Sequence, residues 1–167
     1  MSVAELLVDA FGRVQEAVHE AVEGLTVEQL AVRLDPEANS IAWLCWHLAR
    51  VQDDHLAGAF GLTQLWAEFG DRFELPFAPL ETGYGQSSQE VGQVRVSAEL
   101  LTEYHDAVHA RTVHLVSGVT DPDLSRIVDK RWHPPVTLGV RLVSVISDCL
   151  QHVGQAAFIR GIVLRRG

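Results

Sequence analysis

A chain of 167 residues with 47% hydrophobic and 21% charged residues is long enough for one domain with a real core and too apolar for disorder. Thirteen basic residues against 22 acidic ones leave a net charge of −9, which argues against nucleic acid as a partner. No apolar run long enough for a membrane span stands out, and the N-terminus lacks the basic start and apolar stretch of a signal peptide, so the default expectation is a cytoplasmic protein with no membrane partner.

The elements read as helices from the start. Ser2 and Glu5 form a capping box, and Val3, Leu7, Phe11, Val14, Val18 and Ala21 recur behind it at helical spacing until Gly24. Thr26 and Gln29 form a second capping box, opening a brief helix that ends before Pro36. Asn39 or Ser40 caps the next long helix, whose buried face is Ile41, Leu44, Cys45, Leu48 and Val51 and which runs to about Gly61. The stretch from Thr63 to Gln86, with Pro76, Pro79, Gly83 and Gly85, reads as a long connection that either covers a site or is a plain crossover. Ser87 with Glu90 signals a helix to Ser117, with Gly92 as its weak point. Thr120 to Pro135 reads as irregular, and the short runs Arg126–Val128 and Val136–Leu138 are too brief to count as strands. Thr137 caps the last helix, with Leu142, Val145, Cys149, Ala156, Ile159 and Val163 spaced for burial. Four long helices in one domain spanning residues 1–167 give an all-α four-helix bundle.

Cys45 and Cys149 are too few for a disulfide framework and sit in apolar helical stretches, which makes them small core residues. Arg160, Arg165 and Arg166 suit the negative end of the last helix dipole better than a nucleic-acid patch.

The chemistry lies in Asp148 and His152, placed at i and i+4 so that they share one helix face near Val145 and Ala156. A carboxylate on a buried stripe needs a partner. Two remain open from spacing alone: a metal ion shared with His152, or the guanidinium of Arg141 on the same face. A third ligand would come from another helix. His47 sits at the edge of an apolar stripe, flanked by Trp43 and Trp46, which would exclude water, although a lone histidine there also suits a satisfied core position. His55 falls nearer the centre of that face, as an alternative ligand or a supporting group. His105 and His109 are also four apart, but with His114 they point in spread directions and read as solvated or peripheral.

The segment Asn39-Ser40-Ile41-Ala42-Trp43-Leu44-Cys45-Trp46-His47-Leu48, followed much later by Asp148-Cys149-Leu150-Gln151-His152-Val153-Gly154-Gln155, resembles the DinB/YfiT-like superfamily, closest to its branch of mycothiol-dependent transferases. The resemblance runs from the first helix to about Val163. It implies an up-up-down-down bundle with one divalent metal ion held by one ligand from the second long helix and two from the last, which here are His47, Asp148 and His152. Aspartate stands where the common pattern has histidine. The maleylpyruvate isomerase relatives carry a glutamate there and a further C-terminal domain that this sequence lacks, so that isomerisation is not expected.

Two imidazoles and a carboxylate suit zinc first, then nickel, iron or manganese, and three protein ligands leave an open position. The resemblance thus implies a metal-dependent S-transferase that activates mycothiol or a similar small thiol as its thiolate against an electrophilic substrate. His55 and Asp54 are the candidate bases, and Trp43 and Tyr84 the candidate substrate contacts. The alternative is a non-catalytic metal- or small-ligand-binding stress-response module. Bundles of this type also suggest a homodimer.

Overall fold

Ser2 starts the first helix as its capping box predicts: its Oγ accepts from Glu5 N at 3.2 Å while Glu5 Oε2 accepts from Ser2 N at 2.7 Å. In the computed structural model, which describes residues 1–166, this helix is α1 (Val3–Val22). Leu7, Phe11, Val14, Val18 and Ala21 form its buried stripe. A second reciprocal cap, Thr26 with Gln29, opens the single turn α2 (Val27–Leu30). Ser40 caps α3 (Ile41–Phe60), which Gly61 stops in the left-handed conformation at φ 67°.

The bundle consists of α1, α3, α6 (Ala98–Val116) and α7 (Leu138–Arg166). Helix α1 packs on α6 and α7, and α3 packs on the same two. The pairs α1/α3 and α6/α7 therefore lie across the diagonals, the arrangement expected of an up-up-down-down bundle. Leu30, Ile41, Leu44, Leu48, Leu101 and Leu142 are at most 2% exposed at its centre, each contributing about 1.5–3 kcal/mol by burial. Cys45 and Cys149 belong to this core as free thiols, and burial pushes the Cys45 thiol up to about 12. Helix α3 is buried on nearly every side, because α6, α7 and the following loop all cover it.

Three expectations are corrected. The connection after α3 is not irregular throughout: Trp66–Phe73 forms helix α4. Its Leu65 cap position has no side-chain hydrogen bond, and the Asp53 carboxylate supplies the cap instead, accepting from Leu65 N at 3.0 Å and Trp66 N at 2.8 Å. The helix read from Ser87 to Ser117 is broken into one turn, α5 (Ser88–Val91), and α6. Gly92 ends α5, an extended segment buries Val94 and Val96, and Ser97 caps α6 afresh by accepting from Leu100 N. The two short runs judged too brief for strands do pair. β1 (Ile127–Asp129) and β2 (Val136–Thr137) are antiparallel, with Ile127 opposite Thr137, and together they lead into α7. Thr137 caps α7 as expected, accepting from Val140 N at 3.4 Å.

Candidate metal centre

Asp148 and His152 lie one turn apart on the side of α7 that faces α3, and His47 meets them from α3. One ligand atom from each of the three lies within 4.8 Å of the others. The rings of His47 and His152 are 4.7 Å apart at 67°. His47 is buried, and the other two are partly exposed, so the trio sits at the edge of the core.

The free valences fit a cation. His47 Nδ1 donates to the carbonyl of Thr82 at 2.5 Å, and His152 Nδ1 donates to the carbonyl of Asp148 at 2.7 Å. Each hydrogen bond fixes the tautomer and leaves Nε2 unprotonated as the outward donor, the usual arrangement around a ligated imidazole. Asp148 Oδ2 is buried and makes no hydrogen bond. It lies 3.3 Å from His152 Nδ1, but that proton is directed at the carbonyl. An orphaned carboxylate oxygen beside two imidazole nitrogens is a donor set for zinc, nickel, iron or manganese.

Burial holds His47 below the ordinary imidazole range, and the nearby His152 adds to this. Burial also pushes the Asp148 carboxyl up, but the His152 ring 3.3 Å from Oδ2 and the imidazoles of His47 and His55 outweigh it and leave the group lowered. The Asp148 carboxylate beside the ring, and the Asp148 carbonyl that accepts from Nδ1, raise His152.

Arg141 does not neutralise Asp148. It donates to His55 Nδ1 at 2.9 Å and to Asp129 Oδ2 at 3.0 Å, and Asp129 is held in turn by Arg131. The ion-pair alternative for Asp148 is thus contradicted, because the β1–β2 hairpin presents Asp129 to the arginine.

Trp43 stacks on His47 with ring centroids 4.6 Å apart and planes at 12°, and its Nε1 is tied to Gln86 at 2.8 Å. Tyr84 is 93% exposed, on the loop beside the site rather than in it. His55 accepts from Arg141 at Nδ1, so its neutral ring carries the proton on Nε2; Asp54 Oδ2 lies 3.6 Å from it, and Asp54 Oδ1 takes the Gln64 amide at 2.7 Å. Both line a hollow next to Asp129 and Arg131 that none of the three converging residues borders.

The expectation that His47 sits nearer the stripe's edge than His55 is reversed in burial. His47 is 5% exposed because Thr82 and Gly83 cover it, whereas His55 is only partly covered. The reading of His105 as solvated or peripheral is also wrong: it is fully buried, and His109 stands 6.5 Å from it.

Sequence reasoning named the covering loop without its contacts. A Cβ on Gly83, whose φ is +97°, would stand 2.9 Å from His47 Nδ1 and 2.9 Å from Trp46 Cζ3. Only glycine lets the chain come this close. It missed Arg50 and Asp53 altogether. Arg50 is fully buried, stacks over Trp66 and donates to Gln64 at 2.8 Å, while Asp53 accepts from Tyr104 at 2.9 Å and from Arg111.

An all-helical bundle whose second and last long helices bring two imidazoles and a carboxylate together is a DinB-like protein with a candidate metal site. The sequence model for mycothiol-S-transferase matches residues 6–164, and the chain belongs to that family. A crystal structure of a conserved protein from Enterococcus faecalis is 31% identical, superimposes with a TM-score of 0.90, and is covered over 98% of both chains. No curated protein matches the sequence.

Proposed function

We propose that this protein is a metal-dependent thiol S-transferase that joins mycothiol, or a similar small thiol, to an electrophilic small molecule in the cytoplasm. The observation that carries the reading is the convergence of His47, Asp148 and His152 within 4.8 Å, with both imidazole Nδ1 atoms already committed to carbonyls. A divalent ion, zinc first, bound there would hold the thiol as its thiolate at neutral pH.

The chain's own groups do the rest. His47 and His152 present neutral nitrogen donors, and Asp148 brings the one negative charge that offsets the cation. Trp43, clamped by Gln86 and stacked on His47, keeps water from one side of the ligands. Asp54 and His55 are the candidate groups to take the thiol proton. Asp54 is the acceptor of the pair, and His55 would first have to release Arg141. The new carbon–sulfur bond forms as the electrophile's leaving group departs with its electron pair. Tyr84, exposed beside Gly83, is the candidate contact for the part of the substrate that stays outside.

The test starts with protein purified without a histidine tag, measured for metal alongside His47→Ala and His152→Ala. It continues with thiol consumption against an electrophile whose thioether product is fluorescent. One ion per chain, lost in both variants, together with metal-dependent product formation supports the transferase. An ion that binds without any turnover would leave a binding module instead, and no metal uptake after soaking in zinc or nickel would sink the reading.

A further inference from the structure

Helix α4 and residues 74–81 enclose a hollow of about 740 Å³, a volume suited to a small-molecule ligand. None of His47, Asp148 and His152 borders it. Trp46, Trp66, Leu75 and Phe77 form its walls. The Trp46 ring stands 6.2 Å from Trp66 at 67° and 5.5 Å from Phe77 at 45°. Its Nε1 is buried and has no acceptor among the described residues. Arg50, which stacks on Trp66, does not border the hollow: it is fully buried and donates to Gln64 and to the carbonyl of Glu81.

The mouth carries one sign of charge. Asp71, Glu74 and Glu81 border it, and no described basic residue does. Asp71 lies in the last turn of α4 and Glu74 at its C-cap. Unpaired carbonyls make that end of a helix negative, so carboxylates are the unfavourable choice there. Glu74 also holds a φ of 51°, the one non-glycine residue in the left-handed region among the described residues. Arg72, the basic residue of the last turn, does not offset the acids, because it is bidentate to Glu103 on α6 at 2.8 and 2.6 Å. Glu81 is fixed at the rim by Ala78 N at 3.2 Å and the Gln86 amide at 3.3 Å.

Three carboxylates and a negative helix end thus surround an aromatic-walled cavity, with no cation of the chain to answer them. An organic cation answers both features. Aromatic rings attract a cation within about 6 Å of their centroids, and the carboxylates attract it from the mouth. A hydrated metal ion would leave the rings unused, and an anion would be repelled.

We infer that the hollow between α4 and residues 74–81 is a binding site for a small organic cation, a protonated or quaternary amine on an apolar body. The site is separate from the candidate metal centre and does not rest on thiol transfer.

The probe is benzyltrimethylammonium, titrated into the full chain by isothermal calorimetry beside N,N-dimethylbenzamide, a neutral aromatic of similar size. The cation is expected to bind once per chain, about tenfold or more tighter than the amide, and more weakly as salt is added. Asp71→Asn with Glu74→Gln should weaken it about fivefold and flatten the salt dependence, with an unchanged helical spectrum because both side chains are exposed. Ala67→Trp, at an exposed position of α4 that borders the hollow, should fill the cavity and abolish binding. His47→Ala should leave the affinity for the cation as it is, so that this site and the metal centre stand or fall separately. No binding at millimolar cation, equal affinity for the neutral amide, or full affinity in Ala67→Trp would each overturn the inference. So would loss of binding in His47→Ala, which would place the cation at the metal centre instead.

Discussion

Nδ1 of His47 lies 2.5 Å from the carbonyl oxygen of Thr82, a residue thirty-five positions further along the chain. That hydrogen bond makes the loop after α4 part of the candidate site, since it orients the imidazole and directs Nε2 toward Asp148 and His152. It depends on Gly83, the next residue, lying flat against His47, Trp46 and Trp43.

Gly83→Ala should therefore weaken metal binding while leaving the bundle folded. The added methyl needs a φ of +97° and about half an ångström more room than His47 Nδ1 and Trp46 leave, so the loop must lift. Loss of a hydrogen bond that orients a ligand imidazole costs about 10–100-fold in metal affinity. Competition titration with a chromophoric chelator measures it. An affinity equal to wild type would show that the loop does not orient His47.

Asp148→Asn keeps the shape of the side chain and removes its charge. Metal affinity is expected to fall on the order of 100-fold or more, with the melting temperature of the metal-free protein nearly unchanged. Arg141→Met supplies the contrast: its guanidinium serves Asp129 and His55, so it should destabilise the hairpin and leave metal content intact. Metal loss in Arg141→Met with retention in Asp148→Asn would reverse the assignment.

Helix starts are legible in the sequence because their signals are local. Ser2 with Glu5, Thr26 with Gln29 and Ser87 with Glu90 each announce a start within four residues, and all three form. Helix α4 is not legible for the same reason reversed: its cap, Asp53, lies twelve residues back, on another helix. The pair Asp148 and His152 is legible from i,i+4 spacing, but the choice between a metal and Arg141 is not. Nothing in sequence spacing says that a two-strand hairpin will bring Asp129 to that arginine. His105 escapes for a third reason. A single-face reading of α6 assigns it to solvent, whereas α6 packs on α1 as well as α3 and buries two faces.

Asp53 joins three helices through four hydrogen bonds, from Leu65 N, Trp66 N, Tyr104 and Arg111, with buried Arg50 3.9 Å away. Asp53→Ala leaves that guanidinium without its counter-charge and α4 without its cap. A loss of about 3–5 kcal/mol is expected, which lowers the melting temperature by about 10 °C. Thermal unfolding by circular dichroism reads it, and a shift under about 2 °C would mean that the network is dispensable.

His105 gives the fold a pH dependence independent of any metal. The ring is fully buried, and neither nitrogen has a hydrogen-bond partner. Burial pushes its pKa down from 6.5 to about 3, with His109 and His19 adding to the shift and Asp106 opposing it. The unfolded chain therefore takes up a proton between pH 6.5 and pH 3 that the folded chain refuses. The stability associated with a neutral His105 is complete above pH 6.5 and is lost as the pH falls, by about 1.4 kcal/mol per pH unit. His105→Leu fills nearly the same volume without a proton to gain. Urea unfolding of both proteins at pH 7, 5.5 and 4.5 should show the variant losing about 2–3 kcal/mol less than wild type between the first and last conditions. Parallel losses in the two proteins would mean that His105 is protonated in the folded state, and that α1 and α6 open far enough to let water reach it.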